Sequence, residues 1–194
     1  MSSTPYRALA RFCSLVNGNV LSVGDVSSSD HSVVISGVSN LTTISLESGA
    51  DIVSDYNEYK FKKKFDGIWC AHCLEHQRSV GVFLDKIFSD LKDGGILCIT
   101  VPPRKDKIVG GHLSLWNGGL LLYNLILAGF DCSGAEVLKD GYNISVIVRK
   151  KAAKIPDLKM DCGDIEALSH FFPFPAEHGF DGNIEKIGFE NDYL

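Results

Sequence analysis

The sequence predicts an α/β fold in which a mostly parallel sheet is covered by helices on both faces and ends in an antiparallel strand. Short β-branched runs alternate with amphipathic helical stretches along most of the chain, as a helix-covered parallel sheet requires. Residues 65–103, FDGIWCAHCLEHQRSVGVFLDKIFSDLKDGGILCITVPP, read as strand, polar turn, amphipathic helix, Gly-Gly turn and second buried strand. This is a βαβ unit, whose crossover is right-handed. Near the end, residues 130–137 and 142–149 flank Asp140-Gly141, a turn that suits an antiparallel hairpin.

Each element has a local reason. Pro5 opens a first helix with Leu9, Phe12, Cys13 and Val16 on one face, and Asn17-Gly18 ends it. Residues 20–23 form a short strand that enters the polar loop 24–30. Residues 31–38 stay ambiguous, since their β-branched content favours a strand while Ser28, Ser29 and Asp30 would cap a helix. Residues 43–46 and 51–53 read as the second and third strands, and 67–70 as the fourth. Residues 79–91 place Val80, Phe83, Leu84, Ile87 and Leu91 on one helical face. Gly94-Gly95 ends that helix and begins the fifth strand, 96–101, which Pro102-Pro103 prevents from continuing. Residues 104–111 are then an irregular loop and 115–127 a helix.

With 194 residues, 45% of them hydrophobic, the chain can bury one substantial core. We expect one domain over residues 1–150. Residues 151–194 read as an extension packed on that domain or on a homodimer partner, because FFPFP at 171–175 is too aromatic to leave in water. A net charge of −5 argues against a nucleic-acid partner, and the cluster Lys60, Lys62, Lys63 and Lys64 reads as a solvated edge. No apolar run approaches the roughly 18–20 residues that span a bilayer, and MSSTPYRALARF lacks a signal-peptide pattern, so the expected location is the cytoplasm. Six scattered cysteines lack disulfide spacing. Cys70 and Cys73 form a CxxC without a second such pair, and Cys70 and Cys98 lie in apolar strands, so packing is the simpler role.

The segments FDGIWCAHCLEH, FLDKIFSDLKDGGILCITVPP and GGHLSLWNGGLLLYNLILAGFDC, with the hairpin ISVIVRKK, resemble small-molecule and sugar methyltransferases of the class I S-adenosylmethionine (SAM) superfamily over about residues 18–150. The resemblance implies a Rossmann-like seven-stranded sheet whose last strand is antiparallel, and SAM as cofactor, outside the carboxyl ends of the strands. Its glycine-rich first motif is eroded here to VLSVGDVSSSD. Gly24 remains, Ser22 stands at the acidic position, Val26 and Ser28 replace glycines, and Asp25 is a displaced carboxylate. Glu47, or Leu46 if the alignment moves by one residue, matches the ribose-binding position. Asp55 and Tyr56 match the adenine side, and Ala71 and His72 the methionine end.

His72, Glu75 and His76 are spaced i, i+3, i+4, which on a helical turn puts them on one face, and His112 returns to the same rim after the fifth strand. This HxxEH with a distant His resembles the ExxEH…H arrangement of small-RNA 2′-O-methyltransferases, where it holds a divalent metal. With His72 in place of the first carboxylate, the implied metal softens from Mg²⁺ towards Zn²⁺, Mn²⁺ or Fe²⁺. The bland alternative is local pairing of Glu75 and packing of His76. Without a metal, His112 or His72 is the candidate general base, since an imidazole titrates near neutral pH. Trp116 is a candidate substrate contact. Two functions follow: methylation of a small polar acceptor such as a sugar or surface-glycan precursor, and a methyltransferase-like binding or assembly protein that has lost SAM binding or catalysis.

Overall fold

The central strands carry buried Val, Ile, Leu and Cys side chains on both faces, and both faces of the sheet are covered. A computed structural model of the chain describes residues 4–189. In order, the elements are α1 (Tyr6–Leu15), β1 (Asn19–Val23), α2 (Asp30–Ser36), β2 (Asn40–Ser45), β3 (Ile52–Val53), β4 (Phe65–Ala71), α3 (Val80–Asp90), β5 (Leu91–Val101), α4 (Gly118–Leu127), β6 (Glu136–Asp140), β7 (Asn143–Arg149), α5 (Asp164–Leu168) and β8 (Lys186–Ile187). One 3-10 turn, Leu74–His76, follows β4.

The sheet order is β3-β2-β1-β4-β5-β7-β6-β8. The pairs from β3 to β5 are parallel, and β7 enters antiparallel between β5 and β6. The Rossmann-like sheet expected from sequence is therefore present, with β8 added at the open edge of β6. Strand order reverses between β1 and β4, which makes their carboxyl ends the place where such sheets bind ligands. On one face Leu21, Ile68, Leu97 and Val146 pack with Phe83 and Leu84 of α3 and Leu121 and Leu125 of α4. On the other, Val20, Trp69, Cys98 and Ile147 pack with Leu9 and Phe12 of α1 and Ile35 of α2.

Local chemistry moves several expected boundaries. The ambiguous segment after Asp30 is helical, because the Ser29 side chain accepts a hydrogen bond from Ser32 N at 3.1 Å and caps α2. Residues 130–135 are a turn rather than the start of the hairpin strand. Ser133 N bonds Asp131 Oδ1 at 3.0 Å and Ala135 N bonds Cys132 O at 2.9 Å, which outweighs strand propensity. The helix expected from residue 115 begins at Gly118, since Asn117 Oδ1 accepts from Leu120 N and Trp116 pairs with Pro103 instead. β5 is assigned from Leu91, not Ile96, with Gly94 at φ +77. There the buried Lys150 ammonium donates to Phe88 O and Leu91 O at 2.6 and 2.8 Å, satisfying carbonyls at the end of α3.

The segment after residue 150 packs on the same chain: Leu168, Phe171, Phe172 and Ala176 join the core on the α3 and α4 face. Its crossing over α4 depends on two glycines, with Gly119 N donating to Gly182 O at 2.9 Å. A Cβ at Gly119 would lie 2.7 Å from Gly182 Cα and 2.8 Å from the Phe180 ring. Gly119→Ala is therefore expected to cost about 1–3 kcal/mol through overpacking. Thermal denaturation should show a lower midpoint, and limited proteolysis a faster cut after residue 150; an unchanged pattern in both would contradict this packing.

Candidate functional site

The carboxyl ends of β1, β4 and β5 and the start of β7 share one rim. β1 runs into Gly24, whose φ of +79 turns the chain sharply, and Gly24 N bonds Ile44 O at 2.8 Å. Beside this turn is a cavity of about 80 Å³, lined by Gly24, Ser45, Leu46, Asp55, Tyr56, Cys73 and Gln77 among others. It is small because Cys73 fills it. The thiol donates to Val23 O at 3.1 Å, and a Cβ at Gly24 would collide with it. Gln77 closes the side, donating to Cys73 O and accepting from Asn57 Nδ2.

The residues matched to cofactor positions separate here. Gly24, Asp55 and Tyr56 line the cavity, but the Tyr56 hydroxyl donates to Asp90 at 2.9 Å and its ring packs edge-on against Phe83, so it serves the core first. Glu47 is exposed and outside the lining, which its neighbour Leu46 joins. Ala71 ends β4, paired with Thr100. Asp25 does not reach outward as a displaced carboxylate. Its oxygens face Ser22, Ser32, Val26 N and the His31 ring. Burial raises its pKa, but the His31 and Ser29 hydrogen bonds, the His31 charge and Val26 N together hold it below the ordinary carboxylate value.

The His/Glu cluster forms with one member displaced. His72 precedes the 3-10 turn at φ +54, a left-handed conformation uncommon for a non-glycine residue, fixed by His72 N bonding Thr100 O at 2.9 Å. The ring is thereby turned towards β7, where Nε2 lies 2.8 Å from Asn143 Oδ1, while Nδ1 lies 3.3 Å from Glu75 Oε1. Asn143 Nδ2 donates to Asp140 O, so its amide oxygen faces the imidazole. Burial opposes charge on this ring, but the bonds to Glu75 and Asn143 and the Glu75 charge outweigh it and raise the pKa. Both nitrogens thus point at acceptors. His72 is thus engaged by Glu75 and Asn143, and it stands outside the group whose ligand atoms converge, Glu75, His76 and His112.

Glu75, His76 and His112 do come together, each with one ligand atom within 4.8 Å of the others. Glu75 is buried, and its Oε2 has no hydrogen-bond partner. His76 Nδ1 lies 2.8 Å from Gly111 O, and its Nε2 lies 3.8 Å from Glu75 Oε1. A buried carboxylate with one oxygen orphaned, beside two imidazoles, is an arrangement that a cation would satisfy. An imidazole oriented by a backbone carbonyl is common among metal ligands. The His76 and His112 rings are edge to face at 5.1 Å.

His112 also lines a cavity of about 420 Å³ with Pro102, Lys105, Lys107, Leu113 and Tyr142, within the usual size range of small-ligand sites. Trp116, expected to touch substrate, is buried beneath this loop, donates to Ser114 Oγ at 3.0 Å and lines a smaller neighbouring cavity of about 150 Å³. Sequence reasoning missed Cys73 and Asn143. Cys73 was visible as half of a CxxC, whereas nothing local marks an Asn after a hairpin turn as the partner of the His that follows β4.

No family model matches the sequence, and no curated protein matches it. Solved structures do. Burkholderia thailandensis 1,6-didemethyltoxoflavin-N1-methyltransferase, with bound 1,6-didemethyltoxoflavin and S-adenosylhomocysteine, is 16% identical at a TM-score of 0.62, over 76% of this chain and 80% of that one. The N-methyltransferase NodS of Bradyrhizobium japonicum with S-adenosylhomocysteine is 15% identical at 0.59, over 75% and 85%. The 4+2 cyclase SpnF is 20% identical at 0.52, over 68% and 57%.

The rim's electrostatics give a pH-dependent expectation. A carboxylate with a depressed folded pKa stabilises the protein above its unfolded pKa and loses that contribution as pH falls through the folded value. Asp25→Asn should cost about 1–3 kcal/mol near neutral pH. In parallel melts of both proteins the gap should narrow below about pH 4; a gap independent of pH would show that Asp25 is not held as a carboxylate by His31.

Proposed function

From the premise that this chain has the class I SAM-dependent methyltransferase fold, we propose that it methylates a small polar acceptor held in the cavity beside His112. One observation carries this reading. The turn after β4 presents Cys73 to the cleft at Gly24 and Asp55, and Glu75 and His76 to His112, which lines the acceptor cavity. Donor and acceptor sites on opposite sides of one turn are what transfer between two bound molecules needs.

In this reading the Gly24 turn admits the cofactor's backbone-facing side, Asp55 accepts from its adenine end, and Ala71 borders its methionine end. SAM supplies an electrophilic methyl group. Rotation of the Cys73 and Gln77 side chains opens the cleft, which at about 80 Å³ is well below ligand size. Glu75, His76 and His112 fit a divalent metal by donor type and by the orphaned Glu75 oxygen. Such a cation would lower the pKa of an acceptor hydroxyl. His112 receives the acceptor proton where no metal is held. Asn143 and His72 keep Glu75 in place, and the loop 104–112 excludes water over the acceptor. A cytoplasmic sugar or glycan precursor is one acceptor of the expected kind.

Calorimetric titration with SAM, with and without chelator, tests the reading. Saturable binding is expected, together with a bound metal that Glu75→Gln and His112→Ala remove. No heat and no thermal stabilisation at about 1 mM SAM would refute the enzyme reading, and chelator-insensitive binding with no copurified metal would remove the metal alone.

A second reading, a methyltransferase-like binding or assembly protein, is favoured by the thiol seated in the cleft. Fold likeness alone does not choose between them, because folds of this kind carry several chemistries. Cys73→Ala discriminates: if SAM binds only after this change, the natural protein is not a methyltransferase. If both proteins bind, with the variant tighter by about tenfold, the thiol is a movable gate.

A further inference from the structure

We infer that the cavity beside His112 selects an acceptor carrying an anionic group, phosphate or carboxylate, which Lys105 and Lys107 hold over an apolar floor. The inference rests on the proposed function only in calling this ligand the acceptor. The chain as a whole is acidic, at net −5. Yet Arg104, Lys105 and Lys107 stand within four consecutive positions of the loop over this cavity, opposed locally by Asp106 alone. On an acidic protein, such a local reversal of sign attracts anions to one place and is of no use to a neutral ligand.

The lysines are positioned by the fold. Arg104 N bonds Trp116 O at 2.8 Å, His112 N bonds Val109 O at 3.1 Å, and Leu113 N bonds Glu75 O at 2.7 Å, so both ends of the loop are fastened to the rim. Lys105 and Lys107 both line the cavity. Lys105 Nζ lies 4.2 Å above the Tyr142 ring, and Tyr142 in turn stacks at 8° and 6.1 Å on His72. Among the described residues no carboxylate forms an ion pair with Lys105 or Lys107, so both ammonium groups have charge to offer a ligand. The lining also includes Asp106 and the apolar Pro102, Ile108, Leu113 and Leu115, whose surface suits the flat or aliphatic body of a small molecule. At about 420 Å³ the space suits a small ligand rather than a polymer.

The experiment uses the full chain in chelator and follows three probes by NMR chemical-shift titration: phenyl phosphate, benzoate and phenol. Phenyl phosphate, benzoate or both should bind at least about tenfold tighter than phenol, and Lys105→Gln/Lys107→Gln should remove that advantage while leaving phenol binding and the melting temperature unchanged. The ranking of phosphate and carboxylate identifies which anion the cavity prefers. Equal binding of phenol, no binding of either anion, or an anion preference that survives the lysine changes would overturn the inference. So would anion binding that appears only when divalent metal is restored. The SAM titration fails independently: anion selectivity without SAM binding would remove the methyltransferase reading and keep the anion site.

Discussion

The rim depends on one buried carboxylate. Glu75 sits in the 3-10 turn after β4 with almost no exposure, where an unpaired charge would cost several kcal/mol. Its surroundings are arranged to meet that cost. His72 leaves ordinary backbone space to bring a nitrogen to Oε1, Asn143 on β7 holds the other side of that ring, and His76 and His112 close from the loop side. The Glu75 carbonyl accepts from Leu113 N, so the same residue also anchors the returning loop. Only Oε2 is left over, and it marks the centre of the cluster.

Around this point the sheet separates two spaces. The reversal of strand order between β1 and β4 opens the cleft at Gly24, and the antiparallel entry of β7 beside β5 brings Tyr142 and Asn143 to the opposite side. The cleft is narrow because a side chain from the intervening turn lies in it, while the second space is open and edged with cations. In the proposed reading, affinity for a nucleoside cofactor depends on how readily Cys73 and Gln77 move. In the same reading, selection of the second ligand depends on groups already in position. These are separable properties, and a protein could keep one while losing the other.

The succession of strands and helices was legible because its signals are local: β-branched runs, Gly-Gly at 94–95, Asp140-Gly141, and the apolar face of α3. Boundaries slipped where side chains bonded their own backbone, as at Asp131 and Ser133, or where a cap competed with a strand, as at Ser29. For the site, Glu75, His76 and His112 were recoverable from spacing and from the rule that loops after parallel strands meet at one edge. His72 was not, because i, i+3, i+4 spacing assumes a helix, whereas the chain there runs through a left-handed residue before a 3-10 turn. Asp25 and Trp116 each have structural partners that the sequence did not show. A polar or aromatic residue near a binding loop can be spent on holding the loop, and only the partners reveal it.

The measurement that reaches the central claim most directly is a crystal structure obtained after soaking with S-adenosylhomocysteine and Mn²⁺, with anomalous data at the manganese edge. The account predicts the nucleoside in the cleft between Gly24 and Asp55, with the Cys73 side chain rotated out, and one anomalous peak bounded by Glu75, His76 and His112. An unchanged Cys73 with the cleft still filled, and no anomalous density at Glu75 Oε2, would contradict it.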